Sequence, residues 1–220
     1  MPNFDFKDAR KNMVLNQAKT WEVSDPAILS VLSELPREHF VPEAYQSVAY
    51  ADLWIPLPHQ EVLMPPKMVG RIVQNLQLHP FDTVLHIGCA TGYMTALLAS
   101  LAKEVTAVEI HADFLERSRL NLKRLNLDNV TWELGDGAQG WDYPSTFDVI
   151  VISGGLFTIP EILRQQLRPE GRLFAIYGSP PSMRASIFHY KSRVTWQEES
   201  LFESDLPYLI GAEPTTRFAF

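Results

Sequence analysis

Cysteine is scarce in this sequence, with Cys89 the one cysteine among 220 residues. A single thiol excludes an intramolecular disulfide and a zinc site built from several cysteines. No apolar run approaches the roughly 18 residues that a membrane-spanning helix needs, and the first residues, MPNFDFKDARKN, lack the apolar core of a signal peptide. We therefore expect a cytoplasmic protein that does not associate with membranes.

Basic residues are too few to form a positive surface. The sequence has 19 Lys and Arg against 26 Asp and Glu, a formal net charge of -7, and no dense run of Lys and Arg. An acidic surface repels phosphate backbones, which argues against nucleic acid as a partner. Hydrophobic residues make up 46% of the 220 residues, enough for one globular domain with a core of its own.

From residue 82 onward, short apolar runs alternate with amphipathic segments. Residues 83–88 (TVLHIG) predict a strand buried on both faces, residues 92–102 (GYMTALLASLA) a helix, and residues 104–110 (EVTAVEI) a second strand. The alternation continues to about residue 178 and is typical of βαβ units with right-handed crossovers. It predicts an α/β fold with a doubly wound parallel sheet.

The two ends of the chain have different patterns. Residues 1–80 contain helical patterns joined by proline-rich connections, and we expect them to be a helical extension of the same domain as the core at 81–220. Residues 186–197 and 200–210 predict two strands with no helix between them. Neighbouring strands without a crossover helix pair antiparallel, so we expect an antiparallel pair at one edge of the sheet.

A turn of small residues follows the first strand of the core. A dinucleotide-binding turn has glycines at its first, third and sixth positions, which here hold Gly88, Ala90 and Tyr93. The pattern present is Gly88, Ala90 and Gly92, a shorter turn that lets a ligand approach the backbone. The turn alone fits a plain strand-to-helix connection or a ligand site, and it disfavours a dinucleotide.

Two acidic residues follow the next two predicted strands. Glu109 lies where an acid accepts hydrogen bonds from ribose hydroxyls in nucleoside-binding sheets, and Asp136 follows the third strand at the same edge. Taken alone, either acid is about as well explained by a helix cap or a loop position as by a ligand site. Together with the turn at Gly88, they indicate a nucleoside cofactor without a phosphate tail, S-adenosylmethionine.

The sequence resembles the protein-L-isoaspartate O-methyltransferase family over nearly its whole length. The resemblance rests on FVPEAYQSVAYAD (40–52), VLHIGCATGYMTALLASLAKEVTAVEI (84–110), LGDGAQGW (134–141) and IPEILRQQLRPEGRLFAIYG (159–178). It implies a Rossmann-like, seven-stranded S-adenosylmethionine-dependent methyltransferase sheet with an N-terminal helical extension. It also implies methylation of isoaspartyl carboxylates in damaged proteins, with a protein or peptide as the partner and S-adenosyl-L-homocysteine as the product.

The resemblance also assigns contacts with the cofactor. It places the turn at the methionine end, Glu109 at the ribose, and Asp136 with Gly137 beside the adenine. The candidate cofactor-binding residues are Gly88, Ala90, Gly92, Tyr93, Glu109, Ile110, Asp136 and Gly137. The family usually has glycine at the position of Ala90 and an acid at the position of His86, which we interpret as a packed core residue without a chemical role.

The substrate loop departs from the family pattern. The family has a GQTIS-like segment whose hydroxyls orient the substrate carboxylate. The matching segment here is PLPHQEVLMPPKMVG (56–70), with Glu61, Val62 and Leu63 in place of Thr, Ile and Ser. The loop therefore lacks the hydroxyl, and Glu61 repels an anionic substrate. The candidate substrate-loop residues are His59, Gln60, Glu61, Leu63 and Lys67.

Three functions remain open from the sequence. The first is an isoaspartyl carboxyl methyltransferase, whose activity we expect to be weak because the loop lacks its hydroxyl. The second is a methyltransferase that acts on another oxygen or nitrogen nucleophile, including one on a small molecule, with His59 or Glu61 as a base. The third is a cofactor-binding relative without catalysis. No metal site is expected, and no catalytic residue is assigned.

Overall fold

The computed structural model describes residues 5–141, 146–192 and 195–214, so residues 193–194 of the strand predicted at 186–197 lie outside the described residues. The N-terminal part is mainly helical and includes a short two-stranded hairpin. Its regular elements are α1 (Phe6–Met13), α2 (Pro26–Glu34), β1 (Ile55–Pro56), β2 (Val62–Leu63) and α3 (Pro66–Asn75). Within the described ranges, no helix is both long enough and apolar enough to cross a membrane.

The elements of the core are β3 (Thr83–Ile87), α4 (Tyr93–Leu101), β4 (Glu104–Glu109), α5 (Ala112–Arg124), β5 (Val130–Leu134), β6 (Phe147–Leu156), α6 (Glu161–Gln165), β7 (Leu167–Tyr177), β8 (Met183–Ser192) and β9 (Thr195–Ser204). Strands and helices alternate in the core from β3 to β5, β6 and β7 are connected by a short helix, and the last two elements are strands. The seven core strands form one sheet in the order β5-β4-β3-β6-β7-β8-β9. Strands β3 to β7 pair parallel, whereas β8 and β9 pair antiparallel. The predicted fold class, with its antiparallel edge pair, is confirmed.

Strand β3 lies inside the sheet and has a parallel neighbour on each side. All five of its residues are buried, as expected for a parallel strand covered by helices on both faces. Leu85 lies opposite Thr106 of β4 on one side and Ile150 of β6 on the other. Strand order reverses between β3 and β6, and such a reversal opens a crevice beyond the carboxyl ends of the strands.

The edge strands differ from their predicted boundaries. Both begin earlier than predicted, and the second, predicted at 200–210, ends at Ser204. Beyond it the chain turns back over β6, where the Gly155 N–H donates to the Pro207 carbonyl (2.7 Å) and the Leu209 N–H donates to the Gly155 carbonyl (2.9 Å). Strand β9 stops at Ser204 because its partner there, Met183, is the first residue of β8, and Pro207 further on has no N–H with which to extend a ladder.

One cluster of buried side chains joins the N-terminal part to the core. Leu32 and Phe40 belong to the same apolar cluster as Tyr93 and Leu97 of α4. The rings of Phe40 and Tyr93 meet edge to face, with their centroids 5.5 Å apart. Burial of this apolar surface requires both parts of the chain.

Arg172 of β7 makes a polar connection between the same two parts. Its Nη2 lies 2.6 Å from Asp82 Oδ2 and 2.7 Å from the Gln77 carbonyl oxygen, and its Nε donates to the Leu76 carbonyl. The two charged side chains are only 14% and 12% exposed. These contacts support the prediction that residues 1–80 and 81–220 form one domain.

We predict that Asp82→Asn lowers the free energy of unfolding by about 2–3 kcal/mol, because it leaves the nearly buried Arg172 guanidinium without its counter-charge. Lys191→Gln breaks the pair with Glu170, whose side chains are 48% and 70% exposed, and should cost about 0.5 kcal/mol or less. Chemical denaturation followed by tryptophan fluorescence and by circular dichroism measures the loss of stability in both variants. If the chain is one domain, the two signals must show their unfolding transitions at the same denaturant concentration. Equal costs for the two variants, or separate transitions, would contradict this prediction.

Candidate active site

An open cleft of about 550 Å³ lies at the crevice where the strand order reverses. Its walls come from the turns that follow β3, β4 and β5, from the end of β6, from the start of α5, and from the N-terminal hairpin. The segment after β9 closes the remaining side through Leu209 and Ile210. The cleft therefore collects residues from almost the whole length of the chain.

Six of the eight candidate cofactor-binding residues line this cleft: Gly88, Ala90, Glu109, Ile110, Asp136 and Gly137. The structure places the other two elsewhere. Gly92 caps α4, and a Cβ added to it would lie 3.0 Å from Ser118 and Leu122 of α5, so its small size allows the two helices to pack. Tyr93 is fully buried and lines an adjoining recess.

The turn between β3 and α4 has left-handed backbone angles at alternate residues. The φ angles are +78° at Gly88, +45° at Ala90 and +90° at Gly92. A left-handed conformation costs a residue with a Cβ roughly 1–2 kcal/mol, which explains why glycine is common in such turns. Ala90 is held there by its N–H, which donates to Glu109 Oε2 at 2.8 Å.

Glu109 has a buried carboxylate at the end of β4. The residue is only 4% exposed, and its Oε1 accepts a second backbone hydrogen bond from the His111 N–H at 3.0 Å. These two bonds fix the orientation of the carboxylate at the wall of the cleft. Each carboxylate oxygen has a further lone pair, so a ribose diol can donate to both.

Asp136 and Gly137 form another part of the cleft wall. Asp136 Oδ1 accepts from the Ala138 N–H at 2.8 Å, which closes a tight turn after β5. A Cβ added to Gly137 would lie 2.9 Å from Ile87 Cγ2, so this position requires glycine for close packing on β3. Ile110, 39% exposed, contributes apolar surface to the same cleft.

A smaller recess, here called the inner recess, adjoins the cleft. Leu63, Met64, Tyr93 and other mostly apolar side chains line this inner recess. Four residues border both cavities and thus define their junction: Val62, Gly88, Ala90 and Ser153. A ligand that extends from the cleft toward the turn reaches the inner recess at this junction.

His59 of the predicted substrate loop lies outside the cleft, against α5. Its Nε2 is 3.0 Å from both carboxylate oxygens of Asp113, and its ring stacks on that of His111 with centroids 3.9 Å apart. These contacts attach the loop to the start of α5. His59 therefore fixes the position of the substrate loop against α5.

The other substrate-loop candidates are divided between the cavities and the surface. Glu61 lines the cleft and Leu63 lines the inner recess. Burial, reinforced by repulsion from Glu109 and opposed by His59, raises the pKa of the Glu61 carboxyl. Gln60 and Lys67 line neither cavity, and the Lys67 ammonium pairs with Asp52 at 2.5 Å.

His86 is completely buried in β3, in agreement with its interpretation as a packed residue. Its Nδ1 lies 2.9 Å from Thr95 Oγ1, and its Nε2 lies 2.8 Å from Ser153 Oγ. Burial lowers the pKa of His86 to about 3, so the ring is neutral at physiological pH.

Sequence reasoning missed Ser153, Leu209 and Ile210, all of which line the cleft. Ser153 lies near the end of β6, beside the reversal of strand order. A polar residue at that position could have been recognised in the sequence as a candidate site residue. Leu209 and Ile210 reach the cleft because the chain turns back after β9. Pro207 was the one local sign of that turn.

The cleft suits a nucleoside ligand with a positive charge. Among the described lining residues, Glu61, Glu109 and Asp136 carry carboxylates, and none is a lysine or arginine. A diphosphate would meet repulsion there, whereas a sulfonium would be attracted. The apolar side chains that share the lining give an adenine ring a surface to pack on. The donor set thus fits S-adenosylmethionine.

The family model of protein-L-isoaspartate(D-aspartate) O-methyltransferase matches residues 8–194 of this chain. The chain belongs to that family. A protein-L-isoaspartate O-methyltransferase from Methylorubrum extorquens is 38% identical over 176 residues, which cover 80% of this chain and 77% of the relative. The predicted family is therefore confirmed, and with it the assignment as an S-adenosylmethionine-dependent methyltransferase.

Solved structures agree with this assignment. A protein-L-isoaspartate O-methyltransferase structure superposes with a TM-score of 0.78 at 26% identity; the match covers 90% of this chain and 65% of that longer one. A Plasmodium falciparum protein of the same description, solved in complex with S-adenosyl-L-homocysteine, gives a TM-score of 0.77 at 19% identity over 92% and 97% of the two chains. At 19% identity, this second match shows a similar fold and nothing more.

We predict that Glu109→Gln weakens S-adenosylmethionine binding by about 1.5–3 kcal/mol, because hydrogen bonds to an ionised acceptor are lost. This corresponds to a rise in Kd of roughly tenfold or more, which isothermal titration calorimetry measures. Glu104→Gln, at the exposed opposite end of the same strand, is the matched control and should leave the Kd unchanged. Unchanged affinity in Glu109→Gln would exclude the ribose role of Glu109.

We predict that His86 makes the protein less stable as the pH falls. In the unfolded chain its pKa is about 6.5, whereas in the folded protein it is about 3. The unfolded state therefore binds the extra proton, and stability that is present above pH ~6.5 is lost on acidification with a slope approaching about 1.4 kcal/mol per pH unit. Denaturation at several pH values should show this slope in the wild type and a shallower one in His86→Gln. Parallel profiles would contradict the prediction.

Proposed function

We propose that this methyltransferase transfers a methyl group from S-adenosylmethionine to the free carboxylate of isoaspartyl residues in proteins. One observation carries the proposal: the buried, doubly hydrogen-bonded Glu109 carboxylate stands in the cleft of a chain that belongs to the isoaspartate methyltransferase family. The inner recess beside the turn gives the accepting group a place next to the cofactor.

The residues of the cleft bind and orient the cofactor. S-adenosylmethionine supplies, when bound, a methyl group attached to a positively charged sulfur. Glu109 accepts hydrogen bonds from the ribose, while Asp136 and Gly137 lie beside the adenine. The small residues Gly88 and Ala90 let the methionine end approach the backbone of the turn.

No residue has to remove a proton from the acceptor, because a carboxylate is already ionised at neutral pH. The task of the protein is to hold the acceptor oxygen in line with the methyl group and to exclude water. Val62 and Leu63 of the hairpin cover the junction and the inner recess with apolar side chains. These apolar side chains therefore exclude water from the site of transfer.

A different acceptor is not favoured. His59 is bound to Asp113 and lies outside the cleft, so it is not placed to act as a base there. Relatives that match most of the chain are named isoaspartate methyltransferases, which also disfavours a non-catalytic role. Damaged proteins or peptides in the cytoplasm are the proposed partners, since the named relatives act on protein substrates.

We predict that the purified protein transfers radiolabelled methyl groups from S-adenosylmethionine to an isoaspartyl peptide as base-labile methyl ester. The same peptide with a normal aspartyl residue is the control substrate and should gain little label, because its carboxylate is displaced by one methylene. Glu109→Gln should reduce the rate at low cofactor concentration.

Calorimetry on the same protein preparation shows whether the cofactor binds. If the cofactor binds but the isoaspartyl peptide gains no more label than the aspartyl control, the proposed function is wrong. Equal labelling of both peptides would indicate a general carboxyl methyltransferase and would also contradict the proposed specificity.

A further inference from the structure

The substrate loop offers no hydroxyl to the acceptor, but β6 does. Ser153 lies at the junction of the cleft and the inner recess, next to the turn after β3. Ile87 pairs with Ile152 in the sheet, so Gly88 and Ser153 follow the last paired residues of neighbouring strands and lie side by side. A hydroxyl at this position faces the place where cofactor and acceptor meet.

Ser153 is the hydroxyl residue that borders both cavities among the described residues. The Tyr93 hydroxyl belongs to the inner recess alone and is completely buried beside the Arg37 guanidinium. The remaining polar groups of the cleft, on Glu61, Glu109 and Asp136, accept hydrogen bonds when ionised. Ser153 is thus the one described side chain at the junction that can donate to an anion.

His86 determines which way the Ser153 hydroxyl points. The imidazole bridges two hydroxyls, Thr95 on one nitrogen and Ser153 on the other. Either neutral tautomer satisfies these two contacts. With the ring proton on Nδ1, Ser153 donates to His86; with the ring proton on Nε2, which we propose, Thr95 donates to Nδ1 and His86 donates to Ser153 Oγ. The Ser153 O–H is then directed away from the ring and has no other acceptor among the described residues. An acidic side chain in place of His86 would accept that O–H instead of releasing it.

We propose that Ser153 donates its hydroxyl hydrogen to the accepting carboxylate, and that His86 is the positioning residue that keeps this hydrogen available. The inference rests on the proposed function and deepens it by naming the group that fixes the substrate. A hydroxyl from β6 replaces the one that the substrate loop lacks. Isoaspartyl methylation is therefore compatible with Glu61, Val62 and Leu63 in that loop.

Two measurements test the role of Ser153. Ser153→Ala should lower kcat/KM for the isoaspartyl peptide by about tenfold or more, as expected for a lost hydrogen bond to a charged group. Calorimetry should show a similar loss in affinity of the peptide for the complex with S-adenosyl-L-homocysteine, while the affinity for S-adenosyl-L-homocysteine itself stays within twofold. Ser153→Thr retains a hydroxyl and should restore most of both values.

A double-variant comparison tests His86. His86→Leu removes the ring hydrogen bond and should raise KM for the peptide, while Ser153→Ala/His86→Leu should be no worse than Ser153→Ala alone. Ser186→Ala removes a fully buried serine hydroxyl of β8, outside both cavities, and is the matched control expected to behave like wild type. Additive losses in the double variant would assign His86 a merely structural role and overturn its part of the proposal.

The outcomes separate this inference from the proposed function. An active wild type with unchanged peptide kinetics and binding in Ser153→Ala overturns the Ser153 assignment and leaves isoaspartyl methylation standing. A wild type that binds the cofactor but neither labels nor binds the isoaspartyl peptide overturns both. Loss of S-adenosyl-L-homocysteine affinity in Ser153→Ala would show that the hydroxyl serves the cofactor, and it would also refute the proposal.

Discussion

The reversal of strand order between β3 and β6 determines where the chemistry of this protein takes place. The turns after these two parallel strands leave in opposite directions, so a crevice opens between them that other elements only line. Gly88 and Ser153 lie side by side at that point, directly after the last paired residues of β3 and β6, Ile87 and Ile152. The cofactor cleft and the inner recess meet there, since the chain segments that follow the two strands diverge and leave this edge of the sheet open.

The charges around this crevice must satisfy two opposite demands. Glu61, Glu109 and Asp136 give the cleft a negative character that suits a sulfonium, but the acceptor is itself an anion. A lysine or arginine at the junction would attract the acceptor and repel the sulfonium. A neutral hydroxyl donor orients the carboxylate without this conflict.

The sequence predicted the features that depend on local pattern. The periodicity of apolar residues predicted the sheet. Position after a predicted strand identified Gly88, Glu109 and Asp136 as candidate site residues, and all three line the cleft. The sequence reasoning did not predict α1, although Asp5 caps it through hydrogen bonds to two backbone N–H groups. The contribution of Ser153 depends on His86, 67 residues away in the chain, and no local pattern contains that contact.

The segment that follows β9 belongs to no strand, yet it carries two walls of the cofactor cleft, Leu209 and Ile210. It is attached to the sheet by backbone hydrogen bonds around Gly155 and between Phe157 and Ala212, by the Tyr208 hydroxyl, which donates to the Gly178 carbonyl at 2.7 Å, and by the buried side chain of Leu206. Proteolytic trimming after Ser204, or a fusion partner joined there, would therefore leave all seven strands in place and still open the cofactor pocket to solvent. Preparations of this protein with shortened C-termini would therefore lose cofactor affinity through a segment that lies outside the seven strands.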